Sequence, residues 1–331
     1  MSHLSAAGPD ASPGHSAIRP GQWATRTDSA PIVVAANVAQ ALADAQPVVA
    51  LESTLIAHGL PKPQGAAVAA ELEQTIEAGG AVPATVAVID GALRVGLTPA
   101  QRSAVASRDD VAKAQIRDLG VSIAHRSWAA TTAAATAWAA HAAGIRVFAT
   151  GGLGGVHREA QETFDESGDL TALATTPVVI VCAGVKSILD VPATLERLET
   201  HHVPVLGWRT RDFPGFWVTD SGCDIETRVD SAAEVAAIYR TQRALGLPQA
   251  LVVAVPLSAG ALDPAIEEAA LASGMTAARD AGVRGKALTP FLLSWMHEHT
   301  DGASLRANIA LVHANARVAA EIACALAADA A

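Results

Sequence analysis

Beyond about residue 30 the chain alternates between short unbroken apolar runs and longer stretches in which apolar residues recur every three to four positions. The first pattern marks strands buried on both faces, and the second marks helices packed by one face. Helical spacing begins near Val33–Ala45, and Pro47–Leu51 reads as a buried strand. After a turn at residues 58–63, a helix runs from about Ala66 to Ala78. Thr85–Val95 reads as a hairpin around Asp90-Gly91, a dipeptide that accepts the positive φ angles of a tight turn. An Ala-rich helix spans Thr131–Ala143, and strands follow at Ile145–Thr150, Val178–Ala183, Val203–Trp208 and Leu251–Val255. The last third is mostly helical and ends in Ser304–Ala328. This alternation predicts an α/β fold, a single α/β/α layered domain with a largely parallel central sheet. Residues 1–30, rich in Ser, Pro, Gly and Ala and without periodicity, read as a disordered N-terminal extension before a domain over 31–331.

Half of the 331 residues are apolar but only 4% are aromatic, so the core must be built from Ala, Val, Leu and Ile. A formal net charge of −10 argues against a general nucleic-acid or membrane-surface binder. It leaves room for a phosphorylated small molecule held by a few local cations. Cys182, Cys223 and Cys324 form no metal-binding or redox spacing and are expected as free thiols. No segment approaches the roughly 20 apolar residues of a membrane span, and no signal pattern opens the chain. A cytoplasmic enzyme is expected.

In open parallel sheets ligands bind beyond the carboxyl ends of the strands. Three predicted strands end there in chemistry-bearing residues: Glu52-Ser53-Thr54, Thr150 with the run Gly151–Gly155, and Gly184-Val185-Lys186. An amine at a partly dry strand end is held more readily in the neutral form that attacks a carbonyl, although a surface lysine at a helix start fits the same pattern at Lys186. Glu52 suits a proton donor or a helix cap. The oxygen-rich stretch His157–Asp169 suits a hard cation or a solvated helix end, and the glycine run suits a phosphate cradle. His297-Glu298-His299 looks metal-like, but positions i and i+2 do not share a helix face. His201-His202 reads as a polar connection.

Glu52, Thr150, the glycine run, His157 and Lys186 lie within strings that resemble the pseudouridine-5'-phosphate glycosidases, including the indigoidine-cluster relatives. The strings are ALESTLIAHGLPKPQ (50–64), GGAVPATVAVIDGALRVGL (79–97), FATGGLGGVHREAQETFD (148–165), VCAGVKSILD (181–190), GKALTPFLL (285–293) and NIALVHANARVAAEIA (308–323). The resemblance implies reversible cleavage of the carbon–carbon glycosidic bond of pseudouridine 5'-phosphate, giving uracil and ribose 5-phosphate. It implies that Lys186 forms an imine with the opened sugar, that Glu52 donates a proton and that Asp165 binds Mn²⁺ with waters as most other ligands. Lys113, Ala133 and the segment Ser167-Gly168-Asp169 fall on substrate contacts, with His157, Thr150 and Asn308 lining the pocket. A homotrimer is expected by the same resemblance, with no nucleic acid or membrane as partner.

Such chemistry suits the substrate. The ribose C1' is bonded to carbon, so no leaving heteroatom exists to protonate, and a pair of carboxylates is the wrong toolkit. Covalent attachment to an amine divides the step into easier ones. The chain departs from the family at Gln115 and Ile116, where Ser and Arg are usual, at Val255 in place of Asn, and at Ala314 in a tandem-Asn position. These departures keep open a related enzyme acting on another C-nucleoside phosphate or sugar phosphate. A non-catalytic sugar-phosphate binder has no need of an imine-forming lysine. A dinucleotide-binding dehydrogenase is excluded, since no strand–GxGxxG–helix unit is present.

Overall fold

The computed structural model describes residues 31–328, and the expected N-terminal extension lies outside the described residues. Its main sheet runs in the order Ile32–Val34, Ala92–Val95, Val82–Ile89, Val48–Leu51, Val147–Ala149, Val179–Cys182, Leu251–Ala254, Val205–Trp208, Thr227–Val229. Every ladder on this path is parallel except the hairpin pairing of Val82–Ile89 with Ala92–Val95. The strands Val48–Leu51, Val179–Cys182 and Leu251–Ala254 are buried at every position, as unbroken apolar runs require. The hairpin turn is as expected: Asp90 and Gly91 have φ of 51° and 85°, the pair of positive angles a two-residue turn demands.

Helices cover both faces of this sheet. On one, Ala303–Ala328 packs on the three central strands Val48–Leu51, Val147–Ala149 and Val179–Cys182, flanked by Lys62–Ala78 and Ala232–Ala244. On the other lies Ala133–Ala143, with Gly168–Thr175 and Ile116–Ala124 beside it. Alanine at eight of the eleven positions of Ala133–Ala143 lets it approach closely, and seven of its residues are buried. By length and composition Ala303–Ala328 could cross a membrane, contrary to the expectation that no segment comes near such a span. Here its apolar side is spent on the sheet.

Several boundaries differ from expectation. Ile32–Val34 is a strand parallel to Ala92–Val95, and the helix begins only at Ala36, because three β-branched residues satisfy the hairpin's open edge. The helix expected from Thr131 starts at Ala133, since Ala129–Thr131 is a strand. Ala112–Ala114 pairs with it in turn. Neither three-residue, alanine-rich strand carries an apolar run that periodicity can register.

These short strands matter because they create the site. Val82–Ile89 pairs with Val48–Leu51 over Val82–Thr85 only, and beyond that point Ala129–Thr131 takes over antiparallel at Ala87 and Val88. The change of partner opens a gap at the carboxyl end of Val48–Leu51. Buried hydroxyls fill its floor. Ser53 Oγ donates to Val86 O (2.6 Å) and accepts from Thr131 N (2.9 Å), while Thr131 Oγ1 also donates to Val86 O (2.7 Å) and accepts from Thr136 Oγ1 (2.8 Å).

Candidate active site

A cleft of about 700 Å³ opens above this gap, lined by Glu52, Lys113, Ala133, His157, Asp165 and Lys186 among others. Glu52 ends the strand Val48–Leu51 and is 9% exposed. Thr54 Oγ1 and Thr150 Oγ1 each donate to one of its two carboxylate oxygens, which fixes the plane of the group. Thr150 is held in turn by Asn315, whose Nδ2 donates to Thr150 O (2.7 Å) and Gly151 O (3.2 Å) from the long C-terminal helix. Lys186 follows Val179–Cys182 in the turn closed by Leu189 N donating to Lys186 O (2.9 Å), and its half-buried side chain lines the same cleft.

The other sequence-derived residues fall around these two. Lys113 sits mid-strand in Ala112–Ala114 and lines the cleft. His157 lies on Val156–His157, which pairs antiparallel with Leu189–Asp190 beside the Lys186 turn. Burial holds the His157 imidazole below its ordinary value; Asp165 opposes the shift, and the charges of Lys113 and Lys186 reinforce it. Asn308 Oδ1 accepts from Trp217 Nε1 (3.2 Å) in a second, narrower chamber that shares Glu52, Lys113 and Lys186 with the main cleft.

Three helix N-termini converge on the main cleft: those of Ile116–Ala124, Ala133–Ala143 and Gly168–Thr175. Several of their amides are already taken by capping side chains and by Asp169, so the cations Lys113 and Arg117, with the helix dipoles behind them, are the anion pole that the cleft offers. Two of the five amides in the glycine run are closed to a phosphate. Leu153 N donates to Gly184 O and Gly154 N to Asp169 Oδ2, so these amides are consumed within the fold. The glycines are there for close approach: a Cβ on Gly152 would sit 2.6 Å from the Phe216 ring, and one on Gly154 would collide with Ser167 and Asp169. Asp169 is likewise turned inward, its carboxylate accepting from Ala134 N (2.9 Å) and Gly154 N (2.9 Å), while Ser167 Oγ caps its own helix by accepting from Asp169 N (3.2 Å). This segment lines the cleft while locking one helix start to the glycine turn.

Asp165 is 39% exposed, with Oδ2 3.9 Å from His157 Nδ1. Among the described residues no group of three or more His, Cys, Asp or Glu could hold a metal, and the histidine pairs at 201–202 and 297–299 join none. A lone open carboxylate fits a hard cation that keeps most of its water shell. His299 instead stacks on Trp295, ring centroids 3.9 Å apart. The three cysteines are free, as expected.

Sequence reasoning missed His58, Arg117, Phe216 and Thr289, all of which line one or both chambers, and named Thr54 at its strand end without tying it to Glu52. Thr54 had a signal, two residues from Glu52; Phe216 had none, arriving on a loop that no pattern ties to this site. Of the departures from the family strings, Gln115 and Ile116 line the main cleft, whereas Val255 is buried behind it, its N–H donating to Cys182 O (2.8 Å).

Residues 37–325 match the model of the family described as indigoidine synthase A like protein. The chain belongs to this family. Among its relatives are the pseudouridine-5'-phosphate glycosidases of Salinispora tropica, 56% identical over 88% of this chain and 91% of that protein, and of Frankia alni, 53% identical over 90% and 82%. The prealnumycin C-glycosynthase AlnA, solved in complex with ribulose 5-phosphate, superposes with a TM-score of 0.84 at 37% identity, covering 90% of this chain and 98% of that one. The indigoidine synthase A-like protein of Thermotoga maritima gives 0.80 at 34% identity, covering 86% and 94%. The mostly parallel α/β architecture is thus that of solved indigoidine synthase A-like proteins.

Proposed function

We propose that this protein is a pseudouridine-5'-phosphate glycosidase, reversibly cleaving the C–C glycosidic bond to give uracil and ribose 5-phosphate. The observation that carries the reading is the meeting of Glu52 and Lys186, from the ends of two strands, in a cleft whose far wall is built of helix N-termini. Curated relatives above 50% identity bear that activity in their names, and a solved relative holds a pentulose 5-phosphate.

The arrangement suits each step. The anion pole takes the 5-phosphate and presents C1' of the sugar to Lys186. Ring opening breaks C1'–O4' as the neutral Lys186 amine bonds to C1', the proton lost from nitrogen going to O4'. The nitrogen lone pair then forms C1'=N as the C1'–C5 bond breaks, and uracil C5 takes a proton from Glu52. Water then hydrolyses the imine, releasing ribose 5-phosphate and the free amine. Asp165 would hold a divalent cation such as Mn²⁺ largely through waters, supplying positive charge that orders solvent at the rim. We further propose a cytoplasmic homotrimer; the three unbridged cysteines support the compartment, and light scattering in solution tests the assembly.

The test follows the ultraviolet absorbance of pseudouridine 5'-phosphate with purified protein and Mn²⁺. Uracil and ribose 5-phosphate should appear, and both EDTA and Lys186→Ala should abolish them. No turnover by folded protein would reject the substrate. Gln115 and Ile116 in the cleft favour a second reading, a related C-nucleoside phosphate, which a side-by-side substrate panel separates from the first.

A further inference from the structure

Two chambers meet at the reacting groups, and their linings differ in kind. The larger is polar and edged by helix N-termini; the narrower is faced by Leu55, Phe216, Pro290 and Leu293, with the bare backbone of Gly151 and Gly152 as one wall. Apolar walls of this sort suit the faces of a planar ring beside Glu52. Only two neutral polar groups able to read such a ring, His58 and Asn308, are added to the shared residues.

Each has its hydrogen-bonding sense set from behind. Trp217 Nε1 donates to Asn308 Oδ1 (3.2 Å), which leaves the Asn308 amide NH₂ for the chamber. The Ala112 backbone favours the protonated form of the His58 ring, and since Ala112 N already donates to Trp128 O (2.9 Å) it is the Ala112 carbonyl that faces the ring. Partial burial, with Lys113 and Lys62 nearby, holds the imidazole below its ordinary value. A neutral ring donating through one nitrogen offers the other as an acceptor. We propose that His58 is a specificity-determining residue for the base: its free nitrogen accepts an N–H of a lactam ring whose adjacent carbonyl accepts from Asn308. The proposal rests on the glycosidase reading of the same cleft and adds to it the group that recognises uracil.

Kinetics in the synthetic direction test it, varying uracil at saturating ribose 5-phosphate and then the reverse. His58→Phe should raise the KM for uracil about tenfold, the scale of one lost hydrogen bond, and leave the KM for ribose 5-phosphate unchanged. Borohydride trapping of ribose 5-phosphate on Lys186 should proceed as in the unaltered protein. His58→Gln, which keeps an acceptor, should recover part of the loss. An unchanged KM for uracil in His58→Phe overturns the proposal, as does an equal loss in both variants with weakened trapping, which marks a merely structural role. Absence of trapping in the unaltered protein would instead bring down the glycosidase reading itself.

Discussion

At the scale of single residues the site is a problem of holding a carboxylate still. Glu52 is fixed by hydroxyls on both oxygens, and one of them, Thr150, is itself held through its carbonyl by Asn315. Preorganisation of this kind acts on the proton-transfer step and not on substrate capture. Thr150→Val should therefore lower kcat by roughly tenfold while the KM for the sugar phosphate stays within error. Steady-state kinetics with a thermal melt beside them would check it, and a KM that rose with kcat unchanged would contradict it. Glu52, Lys186 and Thr150 were legible in the sequence because each ends an apolar run. The hydroxyl partner Thr54 and the amide Asn315 were not read as its supports, because hydrogen bonds to a side chain leave no periodic trace. The family resemblance added Lys113 and singled out Asp165 from its acidic stretch, where spacing alone leaves both indistinguishable from surface charges.

At the scale of elements the cleft depends on how helix starts are tied to the sheet. Asp169 joins the first turn of Ala133–Ala143 to the glycine turn after Val147–Ala149 through two buried N–H donors. Replacing its charge with an amide, in Asp169→Asn, weakens both acceptors and leaves at least one donor poorly matched. We expect a loss of about 2 kcal/mol in stability and a raised KM for the sugar phosphate, since the anion pole loses its registration. A denaturant midpoint that falls at unchanged m-value would show the first effect, and steady-state kinetics the second. The long buried strands and the terminal helix could be read from the chain, whereas Ala112–Ala114 and Ala129–Thr131 could not. Alanine carries no strand preference, and three residues are too few to show alternation. What forms those strands is tertiary: the buried second half of Val82–Ile89 needs a new partner on that edge once Val48–Leu51 has ended.

Across the whole molecule, the sheet core beneath the candidate site is shut off from the surface. Cys182, at the end of the central strand leading to Lys186, is fully buried, and burial pushes its thiol up to about 12 against the opposing influence of Gly184 and Lys186. A thiol-specific reagent should leave Cys182 unmodified in the folded protein at pH 8 and label it once denaturant is added; labelling of the native state would show that the core opens. The layered architecture follows from composition, since an alanine-rich, aromatic-poor chain buries its surface by close helix-on-sheet packing. The change of strand partner along Val82–Ile89 does not follow from it, and it brings Lys113 to the space that Glu52 and Lys186 share. The account therefore turns on a covalent bond between Lys186 and a sugar aldehyde. Borohydride added to protein and ribose 5-phosphate, followed by peptide mapping, tests this most directly. It should give one reduced adduct per chain, on the peptide containing Lys186 and absent from Lys186→Ala. An adduct mapped to another lysine, or none on folded protein, would contradict it.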